Sequence, residues 1–215
     1  SATDANGKKQ LSERAKMLLI QRSRVAKKAA AKVDLAVETI KNEFRDGQSW
    51  LVYCEDSEQL ADVATALRLA GIETIEYHSN MDGDREATMQ WFHKFGGILV
   101  SIKCLDEGVD IPKVSHALIL ASSQNPRQFI QRRGRVLRIH PEKNMAEIHD
   151  AIVQPLNAEA EPEQLGLLRG ELIRAIEFAD GAMNMSAGAE LRAISMEMGI
   201  EIDDLVARDG VEDDE

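Results

Sequence analysis

The spacing of apolar positions divides the chain into strands and amphipathic helices. Across residues 11–44, Val25, Ala29, Val33, Ala36, Ile40 and Phe44 recur at steps of three and four, which places them on one stripe of a single long helix. Alanines favour that helix, Gly47 ends it, and Arg14, Lys16, Arg22, Arg24, Lys27, Lys28 and Lys32 decorate its other faces. Residues 50–54 form an unbroken apolar run, the pattern of a strand covered on both faces. Ser57 can cap a helix that buries Leu60, Val63, Ala64 and Leu67 and stops at Gly71. A second strand follows over 74–78. A helix over 84–95, capped by Asp82, carries Met89, Trp91, Phe92 and Phe95. Strands are expected over 97–101, 117–121 and within 146–153, with a helix over 125–133. Further on, Leu165, Leu168, Leu172, Ile176 and Ala179 stripe another helix, and residues 189–198 form a short one closed by Gly199.

Strands alternating with helices predict an α/β fold: a parallel sheet with flanking helices, a long N-terminal helix and a C-terminal helical appendage. The organisation read from the chain is a disordered start (1–10), a basic amphipathic helix (11–46), the α/β domain (47–156), the helical appendage (157–200) and an acidic tail (201–215). Ligands of such sheets bind outside the carboxyl ends of the strands. The segments after Cys54, His78, Ser101 and Ala121 are therefore expected on one edge.

Composition narrows the function. The net charge of −11 argues against a protein that binds nucleic acid over its whole surface. The charge is uneven, however: residues 8–32 are strongly basic, and from Glu142 onward acids dominate. Any electrostatic partner must bind locally. No apolar run is long enough to span a membrane, and the polar opening carries no secretion signal. Two cysteines, Cys54 and Cys104, make no disulfide framework and fit reduced thiols in a cytoplasmic protein. The five histidines (His78, His93, His116, His140 and His149) show no metal-ligand spacing and read as core or surface residues. The first residue is Ser and not Met, as in a processed or excised chain.

Two stretches carry chemistry. The third strand leads into Ser-Ile-Lys-Cys-Leu-Asp-Glu-Gly-Val-Asp-Ile-Pro, residues 101–112. The hydroxyl of Ser101 can bond a phosphate oxygen, Gly108 permits close approach of a ligand, and Asp110 can accept from a sugar hydroxyl. The second stretch, residues 127–138, holds five arginines within twelve residues of an otherwise acidic chain. Pro126 suits a first helical turn, Phe129 and Ile130 can face a core, and Gly134 ends the helix or admits a second backbone. Arg135 and Arg138 lie three apart, so one helical turn aims both the same way. Guanidinium forks fit phosphate oxygens. A solvated basic face is the plainer alternative.

In order and spacing these stretches resemble motifs of superfamily 2 helicases. Residues 101–112 look like motif V. Gln131-Arg132-Arg133-Gly134-Arg135-Val136-Leu137-Arg138 looks like motif VI, and residues 51–55 resemble motif IV. Gly83-Asp84-Arg85 falls where such domains carry an arginine opening a helix, although a structural role is the favoured reading of Arg85. Over residues 50–153 the chain is similar to the C-terminal RecA-like domain of these motors. The resemblance implies that Arg135 and Arg138 are arginine fingers reaching an ATP held by the other motor domain. It implies that Gln131 couples nucleotide to domain closure, that Gly108 and Asp110 meet the nucleotide, and that Ser101 meets the nucleic-acid backbone. It also implies a partner, an N-terminal RecA-like domain, that holds most of the ATP and Mg2+.

DEAD-box members carry His where Gln131 stands and Gly where Leu137 stands, so this chain is closer to the translocase and restriction-motor branches. That departure favours DNA over RNA. The chain lacks a Gly-x-x-x-x-Gly-Lys-Ser/Thr loop, because its Gly7-Lys8 pair is followed by Lys9, and it has no Asp-Glu-x-His/Asp box. Without a phosphate cradle and a magnesium carboxylate, the fragment alone is expected to hydrolyse no ATP, and its other half is expected before Leu11. Two competing readings are a binding module that grips nucleic acid or protein without chemistry, and a doubly wound domain that binds a small molecule.

Overall fold

The structure, a computed structural model, describes residues 29–102, 113–121, 140–141, 143–154, 162–184 and 186–202. These fall into two compact units, Ser1–Ala151 and Ile152–Glu215. The first unit runs α1 (Ala31–Glu43), β1 (Ser49–Cys54), α2 (Ser57–Leu69), β2 (Ile75–Tyr77), α3 (Arg85–Phe95), β3 (Gly97–Ile102), β4 (His116–Ile119) and β5 (Glu147–Asp150). The sheet order is β2-β3-β1-β4-β5. Every neighbouring pair is parallel, as the alternation of elements predicts. The expected helix over 125–133 lies outside the described residues.

Because successive side chains of a strand point to opposite faces, the sheet sorts its own residues. Trp50, Val52, Ile98, Val100 and Leu118 face one way and pack with Ala36 and Ile40 of α1 and Leu60, Val63 and Leu67 of α2. Leu51, Tyr53, Leu99, Ala117 and Ile119 face the other way, in a cluster with Met89 and Phe92 of α3. The inner strands β1 and β3 are thus covered on both sides, which is why residues 50–54 read as a continuous apolar run.

Local chemistry sets the helix ends. Asp56, in extended conformation, accepts from the Gln59 N–H at 3.1 Å, so it caps α2 in place of the expected Ser57. Asp84 accepts from the N–H groups of Glu86 (2.8 Å) and Ala87 (3.3 Å), so it caps α3 in place of Asp82. In both cases the carboxylate directly before the first helical residue reaches the orphan donors of the first turn, and one position off would miss them. The first helix starts at Ala31, with Ala29 outside it, so the helix is not continuous over 11–44. Among the described residues no side chain caps it; Lys32 and Val33 N–H bond back to Ala29 and Ala30 carbonyls at 2.9 Å. Trp91 and Phe95 stay 51% and 57% exposed and lean on each other, ring centroids 5.1 Å apart, because one stripe of α3 faces the sheet and Met89 and Phe92 occupy it.

The second unit contains α4 (Pro162–Ala179) and α5 (Ser186–Glu197). Leu168, Leu172, Ile176, Ile200 and Ile202 form its core. The Arg192 guanidinium donates a two-pronged pair of bonds to Asp180, at 2.8 and 2.6 Å, and holds that carboxyl below the usual carboxylate range.

Candidate functional site at the carboxyl edge

Parallel strands bring their carboxyl ends to one edge, and here the register is explicit. Tyr77, Ser101, Tyr53, Ile119 and Asp150 line up as one row from β2 to β5. The chain leaves this row after β3 toward residues 103–112 and after β4 toward residues 122–139. The exits flank β1, so the segments that lead into the two stretches singled out by their chemistry leave the same edge on either side of it.

Of the expected site residues, Ser101 is the one among the described residues. It sits on β3 with no exposed surface, and its hydroxyl has no hydrogen-bond partner among the described residues. Gly108, Asp110, Gln131, Arg135 and Arg138 lie outside the described residues. Arg85 opens α3, and its guanidinium carbon lies 5.1 Å from the centre of the Tyr77 ring, a cation–π contact at the same edge.

Two buried polar groups at this edge escaped the sequence reading. Gln59 accepts the Glu55 N–H on its side-chain oxygen at 2.8 Å, which turns the chain out of β1 and into α2. Lys32, assigned above to an exposed basic face, is 3% exposed and donates from Nζ to the Leu120 carbonyl at 2.5 Å. Its spacing held a signal. Lys32, Ala36 and Ile40 step by four, so the lysine shares the buried stripe. Lysine's long apolar stem makes such burial feasible when the ammonium finds an acceptor.

The opposite, amino edge carries a different polar cluster. Trp50 stacks on His116 (ring centroids 4.6 Å apart) and on His149 (5.4 Å). The Gln48 side-chain oxygen accepts from Trp50 Nε1 at 2.9 Å and from the Arg45 N–H at 2.8 Å, which turns its amide nitrogen toward His116 Nε2, 3.3 Å away. His116 Nε2 must then accept, leaving Nδ1 to donate to Ser115 Oγ at 2.8 Å. The ring is thus neutral. Burial lowers its pKa from the ordinary histidine value, with Glu147 opposing and His149 adding to the shift. Among the described residues no group of His, Cys, Asp and Glu side chains is arranged to hold a metal ion, and no helix is long and apolar enough to cross a membrane.

Known proteins share this architecture. The family model for the helicase conserved C-terminal domain matches residues 31–140. DEAD-box ATP-dependent RNA helicase 22 of Arabidopsis thaliana is 30% identical over 110 residues, 50% of this chain and 19% of that protein. ATP-dependent DNA helicase Q-like 2 of the same plant is 27% identical over 108 residues, 49% of this chain and 15% of that protein. The chain therefore spans a small part of each of these relatives. The solved C-terminal part of the Fun30 ATPase domain superposes with a TM-score of 0.50 at 18% identity, covering 65% of this chain and 46% of that one, a likeness of fold alone. A family model matched over half of the chain, on a five-stranded parallel sheet whose helices cover both faces, identifies this protein as a member of the helicase C-terminal domain family, with the RecA-like fold of superfamily 2 helicases.

Proposed function

We propose that this chain is the C-terminal half of an ATP-dependent nucleic-acid motor. A preceding RecA-like half would hold most of the ATP and Mg2+ in the assembled enzyme. This half supplies the groups that complete the cleft: Arg135 and Arg138 as arginine fingers, Gln131 as the coupling residue, and Gly108 and Asp110 beside the nucleotide. Guanidinium groups placed where charge develops on the transferred phosphoryl group typically raise turnover on the order of 10³–10⁵-fold.

The observation that carries this reading is the shared edge. Ser101 on β3 and Ile119 on β4 both register with Tyr53 of β1, so the chain leaves the sheet toward the motif V and motif VI stretches on either side of that strand. The same edge supports a role for Ser101. A buried hydroxyl left without a partner costs about 1–3 kcal/mol, which a bond to a backbone phosphate of the nucleic acid would recover. Because Ser101 has no exposed surface, that contact requires the edge to open as the two halves close on their substrate.

The named relatives include both an RNA helicase and a DNA helicase. Gln131 and Leu137 favour DNA for this chain, and competition between duplex DNA and RNA for the assembled motor tests that preference. The division of labour between the halves is tested by a steady-state ATPase assay on the isolated chain. No turnover above background is expected, and a rate near that of an intact helicase would refute the reading.

A further inference from the structure

We propose that Lys32 is a positioning residue for the arginine stretch: it clamps the end of β4 from which that stretch departs. The inference rests on the motor reading above and on a gap in the hydrogen-bond ladder at the carboxyl edge. The Leu120 N–H donates to the Tyr53 carbonyl at 3.0 Å, which continues the β1–β4 ladder one residue past the end of β4. In a parallel ladder the next rung would run from the Glu55 N–H to the Leu120 carbonyl. That rung is absent, because the Glu55 N–H has turned away to the Gln59 side chain. The Lys32 ammonium takes its place and donates to the Leu120 carbonyl. Leu120 is therefore held through its N–H by β1 and through its carbonyl by α1.

The location gives the clamp its consequence. Leu120 and Ala121 are fully buried, and the chain beyond them runs toward Gln131, Arg135 and Arg138. The Ile119 carbonyl is fixed separately, by the Ala151 N–H of the segment after β5 at 2.9 Å. The Leu120 carbonyl, one residue past the end of β4, is thus held from α1 at the point where the chain leaves the sheet. A lysine under a sheet is costly, and an apolar residue on the stripe beside Ala36 and Ile40 would pack there without burying a charge. The ammonium serves where a carbonyl must be held and no backbone donor remains. It also ties α1, at the amino end of the domain, to the strand exit 88 residues later in sequence.

The test uses Lys32→Met and Lys32→Arg in the full-length protein, with Arg135→Ala alongside. Lys32→Met is expected to lower kcat for ATP at least tenfold, with KM for ATP and the urea midpoint little changed, and Lys32→Arg is expected to recover most of the rate. In the same proteins, hydrogen exchange of peptides covering 119–138 should quicken in Lys32→Met, while peptides covering β2 and α3 stay as in the wild type. A kcat within twofold of wild type overturns the proposal. So does a loss that follows global unfolding with no recovery by Lys32→Arg, since that is a purely structural lysine. If Arg135→Ala keeps full turnover, the motor reading itself fails, and the exchange experiment still decides the clamp: unchanged exchange at 119–138 sinks it.

Discussion

Replacing Gly96 with alanine should cost this domain a large part of its stability, and the structure supplies the terms. Gly96 joins α3 to β3 with φ 72° and ψ −145°, and its N–H closes the helix on the Phe92 carbonyl at 2.8 Å. A residue with a Cβ is strained there by on the order of 1–3 kcal/mol. Space adds a second penalty. The new Cβ would lie 2.8 Å from the Gln48 carbonyl oxygen and 3.0 Å from Ser49 Oγ. That carbonyl cannot retreat freely, because it accepts the Gly97 N–H at 2.9 Å in the rung that starts the β1–β3 pairing. Overpacking of this kind costs about 1–3 kcal/mol. The sum, roughly 2–6 kcal/mol, compares with a total of about 5–15 kcal/mol for a typical domain. In urea the midpoint should fall by about 1–3 M, for an m-value near 2 kcal/mol/M that itself stays constant. Gly47→Ala is the control, since Gly47 has φ 88° but nothing within 4 Å of the added atom, so that variant should lose the backbone part alone. A Gly96→Ala variant no less stable than Gly47→Ala would refute the steric penalty. The site depends on this corner, because β3 carries Ser101 between β2 and β1.

Two further outcomes follow from the capping and titration geometry. Asp56→Ala should destabilise the protein by about 0.5–2 kcal/mol in urea unfolding, whereas Ser57→Ala should cost well under that, because Asp56 meets the Gln59 N–H. His116 has its pKa lowered by burial, so the unfolded chain takes up a proton at a higher pH than the folded one. Its contribution to stability is therefore complete above the ordinary histidine value of 6.5 and is lost as pH falls from there through the lowered folded value. Urea midpoints measured between pH 8 and pH 5 should show that loss, and His116→Gln should flatten it. A Glu147→Gln variant should steepen it, since Glu147 favours the charged imidazole.

Periodicity revealed the sheet because β1 and β3 are covered on both faces and leave unbroken apolar runs, while α2 shows a single clean stripe in Leu60, Val63 and Leu67. Spacing alone could not choose between Asp56 and Ser57, or between Asp84 and Asp82, as caps, because the choice depends on which residue is extended where the helix begins. Nor could it separate Met89 and Phe92 from Trp91 and Phe95, which are equally apolar but point away from the sheet. Lys32 was hidden for the opposite reason. A charge on a basic helix reads as solvated until the fold places a bare carbonyl beneath it. At the carboxyl edge, the common exit of β3 and β4 was legible from the alternation of strands and helices. The burial of Ser101 was not, because it depends on neighbours in register, Tyr53 and Tyr77, that are distant in sequence.

The most direct test of the motor reading is ATP turnover by the full-length protein with Arg135 changed to alanine, measured with saturating nucleic acid. A guanidinium that stabilises the transferring phosphoryl group predicts a loss on the order of 10³-fold or more, with nucleic-acid affinity nearly unchanged. Turnover within tenfold of wild type, or a loss of nucleic-acid binding with no separate effect on the chemical step, would contradict it.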